Sequence, residues 1–327
     1  MTADSRATVA LGTTLALWAS AFVFIRVALP GFGVAGLSAG RLLVASVALA
    51  AAAPLLRVRR PERGDLARIA ACGLTGMTAY QLLLNAGERT IEAGTASLLV
   101  NTGPIFAALL AFALLREPLT SRSWAGIGLG CTGATVMALA QGNHLRPSAD
   151  ALLILGAALA QALFFVLQKP LLARYRPFEV TCYATWSGTL FALPLLPDLA
   201  GDLPHAGPDA LAALIFLGAA PSAIGFAAWA YAQARVPVAV AANTLYLVPL
   251  LAIGIGWALL AETVHPGALA GGLLALAGVA LSRGRPRPTA VAGYPPREPS
   301  EKRRGSSWPA RHSAPCSPPS SPRSTRT

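Results

Sequence analysis

The chain has 327 residues, of which 54% are hydrophobic and only 12% are charged. Soluble globular proteins carry roughly 25% charged residues, so this sequence has too little polar surface to cover a water-exposed shell. We therefore interpret it as an all-α integral membrane protein. Its net charge of +12 comes from cations between apolar runs and near the C-terminus, so we expect no nucleic-acid partner.

Apolar runs recur along the chain at a spacing typical of membrane spans. A helix needs about 20 mostly apolar residues to cross the hydrocarbon core, and it pairs its own backbone polar groups there. Ten spans are predicted, five in each half of the chain. In the first half they are Val9–Leu29, Val34–Leu56, Ala67–Ala86, Ala93–Leu115 and Ser123–Ala140; in the second they are Ala151–Leu167, Phe178–Leu196, Leu211–Ala234, Ala239–Leu260 and Ala268–Leu281.

The distribution of positive charge predicts the topology. With the N-terminus inside, the inner loops and their flanks hold 11 Lys and Arg residues and the outer loops hold 2. Lys and Arg concentrate on the cytoplasmic side of membrane proteins. We therefore predict a multi-pass protein of the cell (plasma) membrane with both termini in the cytoplasm.

Composition also predicts the division of the chain. Residues 1–8 form a short cytoplasmic N-terminus, 9–141 a first five-helix repeat and 150–282 a second. Residues 283–327 are basic and rich in Pro and Ser, with almost no apolar periodicity. Such a segment cannot bury enough surface to offset its ordering entropy, so we expect a disordered cytoplasmic tail.

The two halves align with each other. Each half has an odd number of predicted spans, so the second half enters the membrane from the opposite side. This is the inverted-repeat architecture on which many transporters run alternating access. Adding 145 to a residue number pairs Gly73 with Gly218, Ala96 with Ala241, Pro104 with Pro249, Glu117 with Glu262, Gly126 with Gly271 and Gly133 with Gly278.

Three stretches carry a family resemblance. TASLLVNTGPIFAALLAFALLREPLTSRSWAGIGLGCTGA and VAVAANTLYLVPLLAIGIGWALLAETVHPGALAGGLLALAGVAL each have a mid-helix Pro, a Glu after a Leu-rich run and a Gly-rich final span. They resemble the two EamA domains of the drug/metabolite transporter superfamily, and LWASAFVFIRVAL resembles its first helix. The resemblance covers roughly residues 8–283. It implies ten helices around a central cavity and export of amino acids, metabolites or drugs. Gln161 stands opposite Trp18, so the cavity is not expected to be fully symmetric.

Two prolines point to the binding site. Pro104 and Pro249 lie near the middles of their predicted spans, and each removes a backbone hydrogen bond. In a membrane the freed carbonyl needs a partner from protein, water or ligand, so opened helices at equivalent depths predict a substrate site. A packing kink without ligand contact is the alternative.

Polar side chains at similar depth complete the predicted site. They should face protein or a cavity, because lipid cannot pair them. The alternatives are helix–helix hydrogen bonds, interfacial anchoring for Trp and Tyr, and extension of Arg41 to the outer surface. The predicted substrate-binding set is Asn101, Tyr246, Gln81, Tyr80, Asn243, Trp229 and Arg41.

The acidic residues bear on energy coupling. Glu117 and Glu262 end their spans, which favours a structural role in pairing and loop anchoring. None of the 14 acidic residues falls in the middle of a span. We therefore expect transport down the substrate's own gradient, or coupling through a carboxylate at a cavity mouth. Glu88, at the outer end of the third span, is the first candidate for such coupling.

These observations predict a transporter, an exporter of a small metabolite, amino acid or drug-like solute by alternating access, and not an enzyme. A lipid flippase or a membrane-embedded lipid-modifying enzyme is the alternative, but the spans contain no nucleophile with an acid/base pair and no spacing typical of metal ligands. We expect no catalytic residues, no metal and no cofactor. The expected partners are a small-molecule substrate and membrane lipid; the sequence leaves a homodimer open.

Overall fold

The computed structural model describes residues 5–115, 121–140, 148–233, 235, 245 and 247–282. Within these ranges all regular structure is helical. Among the described residues, three helices are long and apolar enough to cross a membrane, namely Ser5–Leu56, Ala149–Arg174 and Pro208–Ala232. The large apolar side chains of Val9, Leu190 and Trp257 are 65–68% exposed, as expected of a surface that faces lipid.

The α-helices follow the predicted spans, with some spans divided. In chain order they are α1 (Ser5–Leu56), α2 (Leu66–Cys72), α3 (Tyr80–Gly87), α4 (Ala93–Val100), α5 (Gly103–Leu115), α6 (Ser121–Ala140), α7 (Ala149–Arg174), α8 (Pro177–Ala192), α9 (Leu196–Asp202), α10 (Pro208–Leu217), α11 (Phe226–Gln233), α12 (Leu247–Leu260) and α13 (Pro266–Ser282).

Helix α1 covers the first two predicted spans and bends between them. Gly33 has φ 59° and ψ −177°, a left-handed backbone conformation that glycine adopts without steric cost. Pro30, three residues earlier, cannot donate a backbone hydrogen bond to the preceding turn. The chain therefore changes direction at the gap between the two predicted spans.

The third and eighth predicted spans each contain a π-helical segment. Gly73–Ala79 joins α2 to α3, and Gly218–Gly225 joins α10 to α11. The offset of 145 takes Gly73 to Gly218, so the two segments begin at equivalent positions. Each span is continuous in helical structure but not uniformly α-helical, which periodicity alone did not predict.

The fourth predicted span is interrupted beside Pro104, where a mid-span proline predicts an opened helix. Helix α4 ends at Val100 and α5 begins at Gly103. Pro104 has no backbone N–H to donate. The backbone N of Thr102 donates to the carbonyl of Leu99, three residues earlier instead of four, at 3.1 Å. Asn101 therefore lies at an interruption between two helices.

Two other predicted spans differ in extent. The seventh was predicted to reach Leu196, but α8 ends at Ala192 and the prolines of the next turns begin new short helices. The ninth was predicted to begin at Ala239. Of that stretch the structure describes Leu245 and residues 247–260, and α12 begins at Leu247.

Helices α6 and α13 pack at backbone contact. A Cβ atom at Gly133 would overlap the backbone of Ala275 and Gly271, and one at Gly278 would overlap that of Gly130 and Gly126. Small residues allow membrane helices to approach this closely. The Gly-rich final span of each half therefore packs against its counterpart.

Polar contacts join the two halves at the end where the connection after α1 meets α8. The Glu179 carboxylate accepts from Arg59 Nε and Nη2, each at 3.0 Å, and from the backbone N of Arg176 at 2.8 Å. The side-chain hydrogen bond with Glu179 raises the pKa of Arg59 above its ordinary value. Arg174 donates to Asp65 Oδ1 at 2.8 Å in the same region.

Candidate substrate-binding site

Helices from both halves enclose a cavity of about 520 Å³. Its walls come from α1, α3, the α4–α5 break, α7, α11 and the start of α12. Small-molecule sites typically have volumes of roughly 300–1,000 Å³. The cavity therefore has the size of a site for a small solute, at the position where the two halves meet.

Aromatic rings form one wall of this cavity. The Trp18 ring lies 5.1 Å from that of Phe226 and 5.4 Å from that of Trp229, measured between centroids. The Phe165 ring lies 6.1 Å from that of Trp229. Such tilted ring pairs are favourable and present a broad apolar surface. This wall can receive an apolar part of a ligand.

Three residues that line the same cavity carry a buried N–H donor without a partner among the described residues. The donors are Nε1 of Trp18, Nε1 of Trp229 and Nε of Arg41. A buried donor without a partner costs free energy. A ligand with acceptor oxygens would satisfy these donors, and a carboxylate would do so with the strongest hydrogen bonds.

The guanidinium of Arg41 is held at one end of the cavity. Its Nη1 donates to Asn85 Oδ1 at 3.2 Å, and Asn85 Nδ2 donates to Ser38 Oγ at 2.8 Å. Arg41 is only 4% exposed. The alternative that Arg41 extends to the outer surface is therefore wrong, and its charge lies inside the protein.

The structure brings several of the predicted site residues together. Tyr80, Asn101, Trp229, Arg41 and Pro104 all line the cavity. Asn101 is fixed by a hydrogen bond from its Nδ2 to the carbonyl of Ser97 at 3.0 Å. Gln161, which stands opposite Trp18 in the repeat, also lines the cavity.

Other predicted residues lie elsewhere. Gln81 is 2% exposed and does not line the cavity. Pro249 is buried in the first turn of α12, beside the lining residue Val248, and does not line the cavity itself. Asn243, Tyr246 and Glu117 lie outside the described residues.

Sequence reasoning missed part of the lining. Trp18, Phe226 and Gln168 all line the cavity, and none was predicted to bind substrate. One signal was available, because Phe22 and Phe165 are paired by the repeat at an offset of 143, and both line the cavity. The burial of aromatic residues within apolar spans otherwise gives no indication of which of them face a cavity.

An ion pair between the halves closes the region beyond Arg41. Arg26 Nε lies 2.9 Å from Glu262 Oε1, and Arg26 Nη1 donates to the carbonyls of Glu88 at 2.8 Å and Arg89 at 3.2 Å. The other Glu262 oxygen accepts from the backbone N of Ala93 at 2.9 Å. Arg26, Glu88, Arg89 and Glu262 border a second cavity of about 510 Å³, which we call the outer cavity because the predicted topology places it on the outer side.

Comparison with known proteins gives concordant matches. A curated relative from Streptantibioticus cattleyicolor, named a probable terminal-alkyne amino-acid exporter, is 51% identical over 85% of this chain and 93% of its own length. An uncharacterized transporter of Bacillus subtilis is 34% identical over 81% of this chain and 87% of its own length. A probable amino-acid metabolite efflux pump of Salmonella typhimurium is 28% identical over 80% and 90%, respectively.

A solved crystal structure shares the fold. It has a TM-score of 0.58 at 18% identity and covers 86% of this chain and 96% of the other. The model of the EamA-like transporter family matches residues 7–139 and 149–284. The resemblance noted in the sequence is confirmed: the chain belongs to the EamA-like transporter family and is a multi-pass membrane transporter.

Proposed function

We propose that the chain crosses the cytoplasmic membrane ten times, as two inverted five-helix repeats with both termini in the cytoplasm. The packing of α6 on α13 supports this arrangement. Gly133 contacts Gly271, and the offset of 145 converts this pair into Gly278 and Gly126, which also contact each other. Equivalent residues in reciprocal contact are what a two-fold axis between the halves requires.

In this topology the structure corresponds to an inward-facing state. The substrate cavity reaches Lys169 and Ala173, both exposed, at the end of α7 that carries the cytoplasmic cations. At its other end lie Arg41 and, farther out, the ion pair of Arg26 with Glu262. A solute can therefore enter from the cytoplasm while the outer side is closed, as alternating access requires.

The substrate that best fits the cavity is an amino acid with a small apolar side chain. Three unpartnered donors carry this conclusion, because Trp18, Trp229 and Arg41 together suit a carboxylate. The aromatic wall suits the apolar remainder. Two relatives, named a probable terminal-alkyne amino-acid exporter and a probable amino-acid metabolite efflux pump, support the same substrate class and export as the direction.

Counterflow in proteoliposomes tests this function. Vesicles containing the purified protein are loaded with L-propargylglycine, a terminal-alkyne amino acid, and uptake of the labelled compound is measured. Arg41→Gln removes a charged donor worth about 1.5–3 kcal/mol, which predicts a roughly 10- to 150-fold higher KM. Trp18→Phe keeps an aromatic ring but removes a neutral donor worth about 0.5–1.5 kcal/mol, which predicts a roughly 2- to 12-fold higher KM.

Trp124→Phe is the matched control. Trp124 is 48% exposed on α6 and does not line the cavity, so the KM of the Trp124→Phe variant should equal that of the wild type. The proposal is refuted if no apolar amino acid is exchanged. The assignment of the site is refuted if both cavity variants exchange L-propargylglycine with an unchanged KM.

A further inference from the structure

Glu88 lies between the two cavities. It directly follows α3, and its backbone N donates to the carbonyl of Leu84 at 2.9 Å. Leu84, one helical turn earlier on the same face, lines the substrate cavity, whereas Glu88 itself lines the outer cavity. The carboxyl group therefore stands just beyond the outer end of the substrate site.

The Glu88 side chain is buried and has no protein hydrogen bond. It is 0% exposed, and neither carboxyl oxygen has a partner among the described residues. Its backbone is held at both groups: the N–H donates to the carbonyl of Leu84, and the carbonyl accepts from Arg26. An ionised carboxylate in such a place is costly, so the group needs either a proton or a cation in contact with it.

The charged groups around Glu88 make no hydrogen bond with its side chain among the described residues. Arg26 and Arg41, both on α1, attract the carboxylate, and Glu262 after α12 repels it. Arg26 uses Nε on Glu262 and Nη1 on backbone carbonyls, and Arg41 uses Nη1 on Asn85. A third cation, Arg89, is the next residue in the chain and lines the same outer cavity.

We propose that Glu88 carries the proton that this transporter exchanges for its substrate. On the cytoplasmic side the neutral Glu88 acid releases its proton, and the resulting carboxylate binds the α-ammonium of the amino acid while Arg41 binds its carboxylate. On the outer side the ammonium leaves and Glu88 takes a proton from that side. One proton enters for each zwitterion exported, so one positive charge moves inward per cycle.

This inference rests on the proposed export of amino acids, because an α-ammonium is the cation that competes with the proton. Since both occupy the same carboxylate, they exclude each other, and exclusive binding is what couples their movements in opposite directions. Arg41 and Glu88 also offer two opposite charges that attract each other, which matches the two charges of a zwitterion.

The experiment measures steady-state accumulation in proteoliposomes of the full-length protein. L-propargylglycine is present at equal concentration on both sides, the lumen is one pH unit more acidic than the bath, and potassium with valinomycin clamps the membrane potential. Protons leaving the vesicle should drive substrate inward. At one proton per substrate, wild-type protein should approach a roughly tenfold accumulation.

Three variants assign the effect. Glu88→Gln cannot titrate, so it should equilibrate the substrate to a ratio of one, with slower counterflow. Glu88→Asp keeps a carboxyl group and should still accumulate substrate. Glu92→Gln is the matched control in the same connection, since Glu92 is half-buried and its carboxylate accepts from Thr95 Oγ1 at 3.4 Å. This variant should accumulate substrate as the wild type does.

The outcomes distinguish the role of Glu88 and proton exchange from the proposed export of amino acids. A tenfold ratio in Glu88→Gln overturns the role of Glu88, and a ratio of one in wild-type protein that still performs counterflow overturns proton exchange while export stands. If wild-type protein exchanges no probe, the proposed function fails and the inference with it. Should Glu88→Gln not insert, proton release decides: wild-type protein in weakly buffered detergent should release about one proton per bound L-propargylglycine, and no release overturns the proposal.

Discussion

The ion pair of Arg26 with Glu262 should hold the outer side closed. Glu262→Gln keeps an acceptor for the backbone N of Ala93 but removes the charge that pairs with Arg26. The side chains of Arg26 and Glu262 are 28% and 13% exposed, so solvent screens the pair only in part. Loss of a charge-assisted hydrogen bond costs about 1.5–3 kcal/mol when fully buried, and we take about 1–2 kcal/mol here.

The lost interaction destabilises only the closed state, because in the outward-open state Arg26 and Glu262 are already apart. A change of about 1–2 kcal/mol shifts the ratio of outward-open to closed molecules by roughly 5- to 30-fold. Leu84 lines the substrate cavity and is 2% exposed, so Leu84→Cys reports this opening. Its labelling rate by a membrane-impermeant maleimide added outside, in a background without the native cysteines, should rise by that factor.

The matched control is Glu62→Gln. Glu62 pairs with Arg174 at 2.6 Å at the opposite end of the protein, and its side chain is 66% exposed. Removing that pair should leave outside labelling of Leu84→Cys unchanged. An unchanged rate in Glu262→Gln, or an equal rise in Glu62→Gln, would show that the Arg26 pair does not close the outer side.

Two further predictions concern packing and topology. Gly133→Ala places a methyl group against the backbone of α13, and overpacking of this kind costs about 1–3 kcal/mol. It should therefore lower the melting temperature in detergent, whereas Gly128→Ala, which meets no atom within 4 Å, should not; equal melting temperatures would contradict the contact. Reporter fusions after Arg60 and after His205 should lie on opposite sides of the membrane, and the ten-span topology is wrong if they lie on the same side.

The helical class and the approximate place of the site were predictable from sequence, because lipid imposes both. In lipid the backbone polar groups of an apolar span must pair with each other, and a helix achieves this. A proline in the middle of such a span removes one of these hydrogen bonds and so opens the helix. The interruption at Asn101 follows from Pro104 in this way. The breaks near Gly33 and after Ala192 coincide with prolines for the same reason.

The assignment of individual side chains to the cavity could not be made from sequence. Tyr80 and Gln81 are neighbours, yet only Tyr80 lines the cavity. Successive side chains on an α-helix differ by about 100°, and the π-helical segment immediately before Tyr80 changes the rotation that periodicity assumes. If the helical phase assumed from sequence is wrong by one residue, a residue that packs against protein is therefore mistaken for one that lines the cavity.

The unpaired donors were equally beyond sequence reasoning. Whether the indole N–H of Trp18 finds a partner depends on Phe226 and Trp229, about 200 residues away in the chain, which cover it with rings instead of acceptors. The burial of Glu88 has the same origin, since it is enclosed by residues of α1 and by the segment after α12. Both features arise from packing between the halves.

The contact between α6 and α13 also has a mechanical consequence. Neither helix contributes a residue to the lining of the substrate cavity. Their closest approach is backbone against backbone at Gly133 and Gly278, so few side chains there need to change rotamer when the halves tilt. The contact can serve as the pivot of this movement. The helices near it would be displaced little, whereas those around the cavity would be displaced more. Residues that do not touch the transported molecule would then set the axis about which the rest of the protein turns.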